Sequence, residues 1–300
     1  MARRVTAIVQ PDVARDHRRE VAAGAFAPRG ADSEFPSHVL VEDNGAEATV
    51  FSFASNALLF AGQPAFELRG YLGTLGARVN RVYLRDIHRT AYHLDPRGNP
   101  GGAAFYEDEV RRLMAELGSR VNIGIGDSSG GSAALYFGTR CTMDKVIAFS
   151  PPFPIRYWTE PRARLRALCD WRLLQESRYS YWEVVSMGTM ASLFATDLRK
   201  LVGDGATWDP LAEFRAAAKH PEAVVFYGAR CGPDAKIAEL WAAMPGVRTV
   251  PIDTGRHNVT TELGRKGLLR DYIANEVREA IESRGVTGPA APAETPDIAP

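Results

Sequence analysis

The stretch GIGDSSGGSAALYFG, residues 124–138, carries an arrangement that reads as nucleophile chemistry. Gly126-Asp127-Ser128-Ser129-Gly130 sets a serine between two glycines, each two positions away. A serine hydroxyl is a weak nucleophile until a base takes its proton and donors hold the oxyanion that follows. The spacing predicts how both are met. A strand entering through Val121–Ile125 and a helix leaving through Gly130–Thr139 pass so closely that side chains at 126 and 130 would collide. Such a turn strains the serine backbone and projects its hydroxyl out of the sheet. It also sets Ser128 at a helix N-terminus, where backbone N–H groups stabilise negative charge. Without strand and helix, the same five residues are only a small-residue turn with an inert serine.

The base must be a histidine, and in this strand–serine–helix design the acid and then the histidine follow the serine in the chain. Downstream stand His220 and His257. His220, in KHPEAVVFY, enters a strand, which is the wrong end of a sheet, and reads as a surface histidine. His257, in PIDTGRHNVTTEL, follows the last expected strand and is the expected base. The acid should follow the strand Ala223–Tyr227, where GARCGPDAKIAEL offers Asp234. Asp234 also suits a helix N-cap. Asp253 is the second choice and Asp209 the third. Oxyanion donors are expected from the backbone N–H of Ser129 and of Ser55 or Asn56, in FSFASNALLFAGQP. Asp86, in LRDIHRTAY, sits just past a strand end and is a substrate contact or a turn residue.

Short β-branched runs alternate with helical patterns through most of the chain, which places these residues. Strands are expected at Ser37–Glu42, Thr49–Ala54, Val79–Leu84, Val121–Ile125, Lys145–Ser150, Ala223–Tyr227 and Val247–Ile252. Helices are expected at Pro64–Leu75, Gly102–Leu117, Gly130–Thr139, Asp234–Met244 and Gly267–Arg284. Alternation of this kind predicts an α/β fold with a mostly parallel sheet covered by helices on both faces. Residues 1–150 and 222–284 form the expected core. Residues 151–221 show no strand but several helical pieces rich in aromatics, and a structureless loop of that length is improbable. They read as a helical lid inserted between late strands, with Tyr157 and Trp158 as candidate substrate contacts. Residues 285–300, rich in Pro, Ala and Gly, read as a disordered tail.

Composition bounds the partners. The 36 Lys and Arg balance 36 Asp and Glu, so nothing global points to nucleic acid or an anionic membrane. Three widely spaced cysteines without a CxxC pattern read as reduced thiols, and no apolar run reaches a membrane span or a signal-peptide core. The expectation is a cytoplasmic protein. The first half of the lid, residues 155–180, carries Arg156, Arg162, Arg164, Arg166, Arg172 and Arg178 against Glu160, Asp170 and Glu176. That excess would suit a carboxylate or phosphate, such as an acidic carrier protein with its phosphopantetheine arm, or an anionic glycan. Equally, the aromatics form the lid's own core and the arginines are solvated.

GDSSGG also echoes the GDSGG of trypsin-like proteases, but those are all-β and take their triad in the order His, Asp, Ser. The series FSFAS, RVYLRD, IGIGDSSGGSAALYFG, DKVIAFSP and GRHN instead resembles a branch of bacterial α/β-hydrolases. That branch is linked to polysaccharide biosynthesis and to accessory secretion-system proteins that modify glycoproteins. The resemblance covers residues 45–150 well and 223–270 loosely. It implies the α/β-hydrolase fold with Ser128 as nucleophile, His257 as base and Asp234 as acid. Asp127 departs from the pattern, where a serine or histidine is commoner, and so does the long aromatic insertion. The expected chemistry is acyl transfer from a small-molecule or carrier-bound ester or thioester, a glycan ester included, with no metal or redox cofactor. The alternative is a binding or scaffold protein that keeps the fold without catalysis.

Overall fold

The structure is a computed structural model that describes residues 38–56, 66–162, 165, 169, 171–176, 178–202 and 208–286. Seven strands form one sheet: β1 Val39–Glu42, β2 Ala48–Phe53, β3 Asn80–Leu84, β4 Val121–Asp127, β5 Lys145–Phe149, β6 Glu222–Gly228 and β7 Val247–Ile252. Their order across the sheet is β1-β3-β2-β4-β5-β6-β7. Only β1 runs antiparallel, against β3; every other pairing is parallel. Parallel strands need a crossover, and the helices supply it on both faces. In chain order these are α1 Arg69–Gly73, α2 Gly102–Leu117, α3 Ser129–Arg140, α4 Arg156–Thr159, α5 Trp171–Glu176, α6 Arg178–Val202, α7 Pro210–Ala216, α8 Gly232–Ala242, α9 Val259–Arg265 and α10 Leu269–Ser283.

Strand residues alternate between two cores with the period of two that a pleated strand imposes. Phe51 and Phe53 of β2 pack with Tyr92, Tyr106, Phe137, Trp158, Phe214 and Trp241 beneath α2, α3, α7 and α8. Val50, with Ile123 and Ile125 of β4, packs with Phe149, Phe226, Val259, Leu263, Ile273 and Val277 beneath α9 and α10. The α3 side of β4 carries glycine at 124 and 126 instead of large side chains. A Cβ at Gly126 would fall on the backbone carbonyl of Gly130, and one at Gly130 on the carbonyl oxygen of Phe53. Removing those side chains lets α3 lie directly on the sheet centre, which puts its first residue at the carboxyl end of β4.

Each of the seven expected strands is present within two residues at either end. Two helices differ. The expected Pro64–Leu75 helix is reduced to Arg69–Gly73, with Leu68 at φ 62 stopping it upstream; Pro64 and Ala65 lie outside the described residues. The expected Gly267–Arg284 helix begins at Leu269 because Gly267 takes φ +72, and a separate helix, α9, precedes it. Among the described residues the stretch 151–221 holds helices and no strand. The expected tail beyond Val286, residues 1–37, Arg164 and Arg166 lie outside the described residues. No described helix is long and apolar enough to cross a membrane.

Candidate active site

Three strand ends converge on one point. Ser128 follows β4, Asp234 lies in the first turn of α8 after β6, and His257 lies in the loop after β7. The turn at Ser128 has φ 51 and ψ −125, a conformation that side-chain-bearing residues rarely take and that is retained only where the surroundings enforce it. Here Ser128 N–H is fixed on Phe149 O at 2.8 Å, and the glycines at 126 and 130 let strand and helix close on either side of the turn. Ser128 Oγ then stands 2.9 Å from His257 Nε2. His257 Nδ1 is 3.0 Å from both carboxylate oxygens of Asp234, and both side chains are buried. An acid that accepts from Nδ1 fixes the tautomer that leaves Nε2 free to receive the serine proton.

The electrostatics follow from burial and neighbours. Burial alone would lower the pKa of His257, but the charge and hydrogen bond of Asp234, with Asp127 and Glu183 behind it, push it up to about 8. The indole of Trp158 packs edge-on to the imidazole, ring centroids 4.9 Å apart, and is itself buried. Asp127 sits under the elbow with its pKa raised to about 7, chiefly by desolvation, against the opposing pull of His257 and the Thr260 hydroxyl.

The other sequence candidates separate cleanly. Asp253, the second choice for the acid, is exposed and paired with Arg230. Asp209 caps α7 by accepting from Leu211 N and Ala212 N. Neither touches His257. Cys231, not Asp234, stands at the N-cap of α8, so Asp234 is not the cap of that helix. His220 lies at the opposite end of the sheet, yet it is half-buried and stacks on Phe214 with centroids 4.6 Å apart, which corrects its reading as a plain surface residue.

Of the oxyanion candidates, Ser129 begins α3, where the first N–H groups have no acceptor within the helix. Asn56 N–H lies beside it and donates to Ser129 Oγ at 2.7 Å. Ser55 is corrected: its N–H donates to Glu67 Oε2 at 2.9 Å and its hydroxyl to Glu67 Oε1 at 2.5 Å, so its donors are committed away from the elbow. Asp86 is corrected as well. It is buried and accepts from His88 N, Thr90 N, Thr90 Oγ1 and Tyr92 N, which makes it the organiser of the loop after β3 and not a substrate contact. Tyr157 is half-buried with Arg156 over its ring at 5.2 Å, one residue from the Trp158 that reaches the imidazole. No group of three His, Cys, Asp or Glu side chains gathers to hold a metal ion among the described residues.

Two residues beside His257 were not singled out in the sequence. Glu183 of α6 and Arg256 form a buried ion pair there. The only signal for Glu183 is a single carboxylate inside the apolar run SYWEVVSM.

No family model matches this chain, and no curated protein matches it by sequence. Solved structures do match in fold. A brefeldin A esterase, described as a bacterial homologue of human hormone-sensitive lipase, superposes with a TM-score of 0.55 at 16% identity, over 96% of this chain and 87% of that one. The capsule O-acetyltransferase of Neisseria meningitidis serogroup A superposes with a TM-score of 0.50 at 13% identity, over 85% of this chain and 99% of that one. With the seven-stranded, mostly parallel sheet and helices on both faces, these likenesses define the fold as that of the α/β-hydrolases.

Proposed function

We propose that this chain is a serine-dependent acyl-transfer enzyme, an esterase, thioesterase or acyltransferase. The observation that carries the proposal is the unbroken line Ser128 Oγ, His257 Nε2, His257 Nδ1, Asp234, at 2.9 Å and 3.0 Å, on a backbone strained at the serine. In the proposed cycle His257 Nε2 takes the Ser128 proton as Oγ bonds to the acyl carbon. The Ser129 N–H holds the oxyanion, with the Asn56 N–H once the Ser129 hydroxyl turns away. The imidazolium returns its proton to the departing alcohol or thiol, leaving acyl-Ser128. Water or an acceptor hydroxyl, deprotonated by His257, then takes the acyl group and restores the serine. Asp234 orients the ring and stabilises its cationic form.

The helical insertion 151–221 is proposed as the lid over this site, since Trp158 packs on the catalytic ring. The finer placing, in the branch of α/β-hydrolases linked to polysaccharide biosynthesis and glycoprotein modification, rests on the elbow and AFSP sequences. It makes O-acyl glycans one substrate class to assay beside simple esters and carrier thioesters. The three cysteines are free, two of them buried, which supports a reducing, cytoplasmic setting. The test is hydrolysis of a p-nitrophenyl acyl ester series, alone and with glycan acceptors, by the wild type and by Ser128→Ala. Turnover in the wild type that Ser128→Ala lacks supports the proposal. Equal turnover in both refutes it.

A further inference from the structure

His257 is the middle residue of Arg256-His257-Asn258, and one carboxylate from the insertion holds both of its neighbours. Glu183 Oε2 accepts from Arg256 Nε at 2.9 Å and lies 2.8 Å from Arg256 Nη2. Glu183 Oε1 accepts from Asn258 N at 2.6 Å. All of this is dry: the Glu183 and Arg256 side chains are only 6% and 7% exposed. From below, the same loop is pressed on the sheet, since a Cβ at Gly228 would fall on Arg256 O. The loop that carries the base is therefore clamped between β6 and α6, with Glu183 as the α6 side of the clamp.

A buried ion pair is a poor source of stability, because desolvating two charges cancels most of their attraction. Apolar residues of similar size would bind α6 to the core as well. What the charged clamp adds is direction. The planar guanidinium and the backbone N–H accept only one arrangement of the carboxylate, so they fix the chain on either side of His257. We infer that Glu183 is a positioning residue that makes the imidazole competent only while the helical insertion is seated on the sheet. Trp158 of α4, also from the insertion, packs on the ring itself, and α4 lies against α6. If α4 and α6 lift together, both contacts part and Nε2 loses its aim at Ser128 Oγ. The insertion is thus part of the base's support as well as a cover. This inference rests on the Ser128–His257–Asp234 reading.

Glu183→Gln tests it, because the amide keeps the size and the acceptor for Asn258 N–H but loses the charge opposite Arg256. The expected result is a kcat lower by about 10- to 100-fold, the range that small misplacements of a catalytic group produce, with KM within about twofold of wild type. The rate of phosphonate labelling at Ser128 should fall in step. The acidic limb of kcat/KM should also move to lower pH, since one of the three carboxyl groups that face His257 (Asp234, Asp127 and Glu183) has lost its charge. Arg256→Lys keeps the charge but cannot form the fork, and should give a smaller kcat loss without moving the limb. It serves as the test if Glu183→Gln does not fold. Wild-type kcat and pH profile in Glu183→Gln, or a change in KM alone, overturn the inference. Wild-type protein that takes no phosphonate on Ser128 overturns the triad reading and this inference with it. A wild type that labels while Glu183→Gln labels as fast overturns this inference alone.

Discussion

Asp127→Asn should make the protein more stable, and more so as the pH rises. Thr260 Oγ1 lies 3.0 Å from Asp127 Oδ2 and 2.7 Å from Asn258 Oδ1. The latter is fixed as an acceptor by Thr261 N–H at 3.0 Å. A hydroxyl has one proton and cannot serve both. A protonated Asp127 completes the line by donating to Thr260, which then donates to Asn258. The other oxygen, Oδ1, is buried and has no partner among the described residues, so an ionised carboxylate here would be poorly solvated. Burial accordingly raises its pKa from 3.8 to about 7. The unfolded chain releases this proton near pH 4 and the folded chain near pH 7. Between those values the unfolded state binds fewer protons, and stability falls as the pH rises. At 1.36 kcal/mol per decade the full cost is about 4 kcal/mol, of which about 2 kcal/mol accrues between pH 5 and pH 7. An asparagine donates to Thr260 in the same way and never ionises. Urea unfolding of both proteins at pH 5, 6 and 7 should show the stability advantage of Asp127→Asn growing by about 2 kcal/mol across that range. Asp127 faces His257, so the pH dependence of the difference belongs to the pair and not to Asp127 alone. A pH-independent difference would show that Asp127 is ionised throughout, and would refute the proton count.

Asp234→Asn should lower kcat by about 10⁴ at neutral pH, since the amide presents a donor to Nδ1 and selects the wrong tautomer. Asp253→Asn, at an exposed residue paired with Arg230, should leave kcat within about twofold of wild type on steady-state assay. The value of kcat/KM should rise with pH as His257 loses its proton, with a midpoint at about 8. Asp127 faces the ring, so that limb belongs to the pair, and a profile already flat from pH 6 would contradict it. Gly130→Ala should lose about 3 kcal/mol or more by thermal or urea unfolding, because its Cβ meets the Phe53 carbonyl; near-wild-type stability would contradict this close approach of helix and strand.

The elbow was legible because several local requirements agree within ten residues. Glycines sit where strand and helix touch, an apolar strand precedes them and a small-residue helix follows. His257 and Asp234 were legible by order and by position at strand ends, since the fold leaves few residues there. What the sequence hid depends on side chains that meet across the fold. Nothing local tells that Ser55 N–H turns to Glu67, or that Asp86 spends its oxygens on its own loop. Nor does anything link Glu183 with Arg256, 73 residues on, because a carboxylate in an apolar helix reads equally as a solvated exception. Helix α9, Val259–Arg265, was hidden too, because the sequence reads as a loop between His257 and a last helix beginning at Gly267.

The most direct test of the account is covalent. The wild-type protein should be treated with an alkyl fluorophosphonate at neutral pH, digested, and each modified peptide weighed. One adduct per chain is expected, on the peptide carrying Ser128, absent in Ser128→Ala and formed at least about 100-fold more slowly in His257→Ala. An unmodified wild type, or an adduct on any other residue, would contradict it.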